Sequence, residues 1–197
     1  MRALLFVRHG TTDWNIEGRL QGQEDIALAA QGRRQVSALA PLVARFSPAF
    51  VVCSDLRRTY ETSWLLGYPA PELDPRLREA NLGEWTGLRG ADLRATTRDQ
   101  YHRWRAGCYT PPQAESWDAL CGRVDAVLGE LQDREGRTLI ITHGGVIRAA
   151  CSLLIGLVPE QIHPPAPASL TVISLGHRPR LAVFNLTVDG PLLEAPD

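Results

Sequence analysis

Three short runs in the chain are apolar on consecutive rather than alternate positions: residues 3–7, 49–54 and 138–142. A run of that length without a polar face does not suit a half-solvated sheet, so each predicts a strand buried on both faces, as in a parallel sheet covered by helices. Between the runs the spacing turns helical over residues 30–45, 57–66 and 116–133, the last placing Leu120, Val124, Val127, Leu128 and Leu131 on one stripe. Residues 146–157 predict a further helix after Gly144-Gly145, and residues 169–175 and 181–186 alternate like strands about a turn at Gly176. Strands alternating with helices predict a three-layer α/β/α sandwich: a mixed, mostly parallel sheet with helices on both faces.

The pattern breaks over residues 82–115, where Trp85, Tyr101, Trp104 and Tyr109 stand among arginines ahead of Pro111-Pro112. This stretch reads as a segment inserted over the sheet to cover substrate, within one catalytic domain spanning 1–197. A chain of 197 residues suits one such domain without a disulfide or metal staple.

Composition narrows the chemistry. Apolar residues at 44% and charged residues at 22% are those of an ordinary globular domain, and a net charge of −1 supplies no field for nucleic acid or an anionic membrane. All 21 basic residues are arginine, which excludes Schiff-base lysine chemistry and a phosphate-loop lysine. The four cysteines form no C-x-x-C pair, and the first apolar run, cut by Arg8, is too short for a signal peptide, so the expectation is reduced thiols in the cytoplasm.

In sheets of this kind ligands sit beyond the carboxyl ends of the strands. The first run is followed by Arg8-His9-Gly10-Thr11-Thr12-Asp13-Trp14-Asn15, the second, ending in Ser54, by Asp55-Leu56-Arg57-Arg58, and the third by His143-Gly144-Gly145. Singly, an arginine or histidine at a strand end is more often a capping or ion-pairing group. Jointly they place several positive groups on one rim, an arrangement that is costly unless an oxyanion neutralises it, and a phosphate does so through guanidinium forks. Neutral imidazole can attack phosphorus, and flanking arginines favour that neutral form. A metal at His9 and His143 is the rival reading, but the neighbours are arginines where a metal site calls for carboxylates or thiolates. Neither metal nor cofactor is expected.

These residues carry a resemblance. The run Phe6-Val7-Arg8-His9-Gly10-Thr11-Thr12-Asp13-Trp14-Asn15, with a second His-Gly at His143-Gly144, resembles the histidine phosphatase superfamily in its phosphoglycerate-mutase-like branch, over nearly the whole chain to about residue 175. The resemblance implies His9 as nucleophile, Arg8 and Arg58 as phosphate clamps, Asn15 as a donor to the phosphoryl oxygens and His143 as a stabiliser of transition-state charge. It implies Gly22 and Gly144 as close backbone neighbours of the phosphate, although a simple turn accounts equally for Gly22. The family's Leu-x-Glu-x-x-x-Gly-x-x-x-Gly run is matched by residues 77–87 and implies Glu79 as the proton donor, with an arginine ion pair as the alternative role.

Arg57 and Glu84 read as solvated neighbours, and His102, His163 and His177 as surface histidines. The chain departs from the family's Gly-Glu-Ser at Ala114-Glu115-Ser116, which leaves Glu115 a secondary candidate for substrate contact. The reading is a phosphomonoester hydrolase acting through phosphohistidine on a small phosphorylated metabolite, its partners including neither nucleic acid nor membrane. A mutase of the branch and a non-catalytic phosphate-binding module are the alternatives. Of these, the mutase is disfavoured by the compact 82–115 segment, since mutases of the branch carry a longer insertion there. The arginines Arg89, Arg94, Arg98, Arg103 and Arg105 suit a solvated face better than an anion site, and strands 169–175 and 181–186 could offer an edge for a homodimer.

Overall fold

In the computed structural model residues 2–191 are described, and they form a seven-stranded sheet. Its strands are β1 (Arg2–Arg8), β2 (Phe50–Cys53), β3 (Glu72–Leu73), β4 (Arg137–Thr142), β5 (Leu170–Leu175), β6 (Arg180–Thr187) and β7 (Gly190–Pro191), in the order β3-β2-β4-β1-β5-β6-β7. The pairings β1/β4, β2/β4 and β2/β3 are parallel, whereas β1/β5, β5/β6 and β6/β7 are antiparallel. The sheet is mixed, and its parallel half contains the three runs read as doubly buried strands. Its antiparallel half is larger than the apolar pattern suggests, because the two alternating C-terminal segments return as a hairpin along β1.

The helices are α1 (Asp13–Ile16), α2 (Ala30–Ala44), α3 (Arg57–Leu65), α4 (Gly90–Thr96), α5 (Arg98–Arg105), α6 (Trp117–Gln132) and α7 (Gly144–Ile155). Period-two alternation divides each buried strand between two cores. Leu4 and Phe6 of β1 pack with Ile140 of β4, Val124 and Leu128 of α6 and Ile147 of α7, while Ala3, Leu5 and Val7 pack with Leu139 and Ile141 and with Val36, Leu39 and Val43 of α2. Helices therefore lie on both faces, as expected. Burying a leucine-sized side chain contributes roughly 1.5–3 kcal/mol, so substituting either face of β1 with a polar group removes a main source of stability.

Residues 82–115 fold into short turns and the helices α4 and α5 around a third, smaller core of Leu20, Leu82, Trp85, Leu93 and Tyr101. Trp85 sits among Tyr101, Trp104 and Tyr109, with ring centroids 6.3, 5.5 and 5.7 Å away. The aromatic cluster thus holds this segment together. Arg89, Arg94, Arg98 and Arg103 are exposed, as a solvated face would have them, whereas Arg105 is half-buried.

The edge expected at residues 169–175 is not available, because β5 is hydrogen-bonded on both sides, to β1 and to β6; β7 in turn pairs with β6 at Leu186 and Thr187. Among the described residues no helix is long and apolar enough to cross a membrane.

Candidate active site

Register brings the two histidines together. Arg8 is opposite Thr142 in the parallel β1/β4 pair, and the next residue of each strand is histidine; the His9 and His143 rings lie 5.3 Å apart between centroids, inclined at 59°. The chain on either side of His9 is fixed by the backbone, His9 N–H donating to Thr142 O at 3.0 Å and Ala168 N–H to His9 O at 3.0 Å. The turn after β1 is pressed onto α2: a Cβ on Gly32 would stand 2.1 Å from Thr11 O, and one on Gly10 would stand 2.7 Å from Gly32 O. Only glycine permits that approach.

His9 Nδ1 is 2.8 Å from Gly10 O. A carbonyl can only accept, so Nδ1 carries the proton and Nε2 holds the lone pair. Burial, then the guanidinium groups of Arg58 and Arg8, hold the His9 imidazole well below its ordinary pKa of 6.5, against the raising effect of the Gly10 carbonyl. His143 is held low in the same way by burial, Arg58, His9, Arg8 and Arg123. Both rings are therefore neutral at neutral pH.

Arg58, in the first turn of α3, is fully buried; its Nη1 and Nη2 donate to Glu24 O at 2.6 Å and Gly22 O at 2.8 Å. Desolvation lowers its pKa to about 10, which leaves it cationic at neutral pH. Gly22 takes a φ of +52°, as a turn requires, and its carbonyl accepts from Arg58. Arg8 is also buried, its Nη1 donating to Pro165 O, and Gly144 lies against its guanidinium. Arg57, one residue from Arg58, points outward and pairs with Glu61 at 2.8 Å.

Asn15 reaches the site through a capping box: its Oδ1 accepts from Thr12 N at 3.1 Å and Thr12 Oγ1 at 3.0 Å, and its own N–H donates to Thr12 Oγ1. With the oxygen so held, the amide nitrogen is the end left for the cavity that Asn15 lines.

Glu79 lies across the same cavity. Its Oε1 accepts from Ala80 N–H at 2.9 Å and its Oε2 from Gly145 N–H at 3.0 Å, at the amino end of α7. Among the described residues these amides, and not a guanidinium, hold the carboxylate. Glu115, the secondary candidate, is instead committed to a bidentate pair with Arg123 at 2.6 and 2.8 Å, which removes it from substrate contact. Beside the departure at Ala114, Gln113 takes φ +60°, and Ser116 caps α6 through Ala119 N–H. Glu84, His102, His163 and His177 are exposed.

Sequence reading gave no role to Ser54, Gly145 or Arg123. Ser54 Oγ lies 2.9 Å from His143 Nε2. Gly145 is required because a Cβ there would stand 2.2 Å from Glu79 Oε1. The Thr12-x-x-Asn15 spacing was a legible cap signal, whereas nothing local marks Ser54 or Arg123, whose partners are 89 and 44 residues away.

The cavity takes in Arg8, His9, Asn15, Gly22, Arg58, Glu79 and Gly144 together with Leu82, Trp104 and Trp117, and has a volume of about 120 Å³. That is roughly four waters' worth of space, enough to enclose a phosphoryl group while a larger organic part projects outward. Arg58 Nε and His143 Nδ1 are buried without a hydrogen-bond partner among the described residues. Arg58 lines the cavity, whereas His143 is fully buried beside the His9 ring and is not among the lining residues. An orphaned nitrogen at the cavity is costly unless a ligand meets it, and an oxyanion would meet Arg58 Nε.

The fold and this cavity define an enzyme that handles a phosphoryl group at a histidine. The model of the histidine phosphatase superfamily, branch 1, matches residues 4–187. A glucosyl-3-phosphoglycerate phosphatase of Mycobacterium tuberculosis is 34% identical over 170 residues, covering 79% of this chain and 76% of its own, and a probable phosphoglycerate mutase of Proteus mirabilis is 33% identical over 168 residues, covering 80% and 76%. A solved mycobacterial glucosyl-3-phosphoglycerate phosphatase in complex with VO3 superposes with a TM-score of 0.86 at 35% identity, covering 94% of this chain and 99% of that one. The chain belongs to the histidine phosphatase superfamily.

Proposed function

We propose that this enzyme hydrolyses a phosphomonoester of a small metabolite through a phosphohistidine at His9. The observation that carries the reading is the His9 ring itself, neutral and with Nδ1 locked to Gly10 O, so that Nε2 is the nucleophile. Nε2 attacks phosphorus, the P–O bond to the leaving group breaks, and protonated Glu79 delivers its proton to the departing oxygen. Water then attacks phosphorus, the N–P bond breaks, and the Glu79 carboxylate takes the proton from water, restoring His9 and releasing phosphate. Arg8, Arg58 and the Asn15 amide meet the equatorial oxygens, and His143 adds a donor from Nδ1 when Ser54 donates to its Nε2.

Segment 82–115 covers this site and sorts leaving groups, a reading supported by Leu82, Trp104 and Arg105 among the residues that line the cavity. The substrate is a small phosphorylated metabolite, a reading supported by the similarity to a phosphatase of glucosyl-3-phosphoglycerate. No metal takes part, since the cations Arg8 and Arg58 repel one from the His9/His143 pair. The relatives' glucosyl-3-phosphoglycerate is a first substrate to try. The unpaired cysteines, Cys53 and Cys151 buried among them, suit a reducing cytoplasm. Neither nucleic acid nor membrane is a partner, and a homodimer would form away from β5.

The test is chemical trapping. Brief exposure to phosphorus-labelled substrate with a chelator present, followed by alkaline quench, should leave acid-labile, base-stable label on His9 and none on a His9→Ala variant. No label would point to a binding module; label dependent on added metal would end the metal-free reading. Transfer to a second hydroxyl outpacing phosphate release would make the enzyme a mutase.

A further inference from the structure

Glu79 stands on a segment with little regular structure of its own. Residues 75–77 make one tight helical turn, and the chain then runs on without a strand partner to the turn at 83–85. A proton donor must be held to within about half an ångström of its working position, so something outside the segment has to supply that rigidity.

Thr142 Oγ1 holds Leu77 O at 2.8 Å and Gln23 Nε2 holds Glu79 O at 3.0 Å, and one side chain does more than either. Arg123, on the buried side of α6, spends its five N–H groups on five hydrogen bonds: Nη1 donates to Arg76 O and, at 2.7 Å, to Arg78 O; Nη2 donates to Glu79 O at 3.0 Å and Glu115 Oε2 at 2.8 Å; Nε donates to Glu115 Oε1 at 2.6 Å. Three of the five hold carbonyls around the acid, and the other two make a fork with the carboxylate that neutralises the charge. Glu115 ties in from the far side, its N–H donating to Asn81 O at 2.8 Å and its Oε2 accepting from Asn81 N–H. The carbonyls of residues 76 and 78 would otherwise need water or a changed backbone path, and that of Glu79 would keep Gln23 Nε2 at 3.0 Å. Lysine cannot replace this, since an ammonium has three donors and no planar fork. Arg123 does not line the cavity, and with all five N–H groups spent on the protein it has none left for substrate.

We propose that Arg123, with Glu115 as its counter-ion, is a positioning residue for the proton donor, setting where the Glu79 carboxyl stands relative to the leaving oxygen. The proposal rests on Glu79 being that donor, and the experiment separates the two claims. In the full chain, Glu79→Gln, Arg123→Lys and Glu115→Gln are compared with wild type by first-turnover release of glycerol from β-glycerol phosphate and of nitrophenolate from p-nitrophenyl phosphate, whose leaving group departs without a proton.

Glu79→Gln should slow glycerol release by roughly 10²- to 10⁴-fold and nitrophenolate release far less. Arg123→Lys should show the same split, roughly tenfold or more between the two substrates, with Glu115→Gln smaller in the same sense. A merely structural arginine would lower both rates alike, or only the melting temperature. Equal loss on both substrates for Arg123→Lys, or no loss, overturns the positioning role while a split in Glu79→Gln keeps the donor. A flat response in Glu79→Gln overturns both. Should Arg123→Lys fail to fold, Glu115→Gln decides by the same comparison.

Discussion

A histidine that attacks phosphorus and one that stabilises the resulting charge need opposite things from the same ring. His9 must present a lone pair, and the Gly10 carbonyl on Nδ1 enforces it. His143 must present a donor, and among the described residues its ring is hydrogen-bonded to the Ser54 hydroxyl at Nε2, which can give or take a proton. An oxyanion against Nδ1 selects the tautomer in which Ser54 donates. Ser54→Ala leaves the buried Nε2 without a partner and frees the ring to carry its proton there. One hydrogen bond's worth, about 1.4 kcal/mol, corresponds to about tenfold, so kcat should fall about tenfold or more with KM little changed. Steady-state kinetics read this directly. An unaltered kcat in a folded Ser54→Ala protein would remove Ser54 from the account of His143.

At the scale of elements, the amino end of α7 shows how far local pattern reaches. The apolar spacing starts a helix at residue 146, but the backbone is already helical at Gly144, with His143 as its cap. Two glycines are poor helix formers, so propensity hides those positions; they are helical because the first-turn amides face the cavity, Gly145 N–H toward Glu79. The strands β1, β2, β4, β5 and β6 and the helices α2, α3 and α6 were legible because burial writes a period into the sequence, whereas β3 and β7, two residues each, are too short to carry one. The helices α4 and α5 were not, because polar residues fill most of their positions and Leu93 and Tyr101 meet Trp85 only in three dimensions. Among site residues, His9, His143, Arg8, Arg58 and Asn15 follow strand ends and could be read; Ser54 and Arg123 act across the fold.

The same helix end gives a second measurable outcome. Gly145→Ala gains up to about 1 kcal/mol of helix propensity, yet its Cβ would overlap Glu79 Oε1 at 2.2 Å. The atom it meets is the tip of a flexible side chain, so the carboxyl moves and the fold survives. Thermal unfolding should change by no more than a few degrees, while activity on alkyl phosphates falls at least about tenfold, the cost of a misplaced proton donor. Retained activity on alkyl phosphates would mean that the carboxyl works from more than one position.

For the molecule as a whole, the site is a source of acid sensitivity. Folding buries two imidazoles whose pKa values are held well below 6.5 by desolvation and by Arg58 and Arg8, whereas the unfolded chain protonates both near that value. Below pH 6.5 the unfolded state then binds more protons than the folded one, so stability rises with pH: the contribution is complete above 6.5 and is lost progressively as pH falls toward the depressed folded values. At about 1.4 kcal/mol per histidine per pH unit, the pair should cost about 3 kcal/mol between pH 7.5 and 5.5. Asp55, whose pKa is lowered by its hydrogen bonds to Arg78, adds nothing in that window, since its contribution is present above its ordinary 3.8 and is lost only as pH falls below it. Urea unfolding at pH 7.5, 6.5 and 5.5 should therefore show a falling midpoint at constant slope, and His9→Asn or His143→Asn should each remove about half of that dependence. A midpoint that stays level to pH 5.5 would mean that the buried rings accept protons without resistance, and the neutrality of the nucleophile would then need another cause.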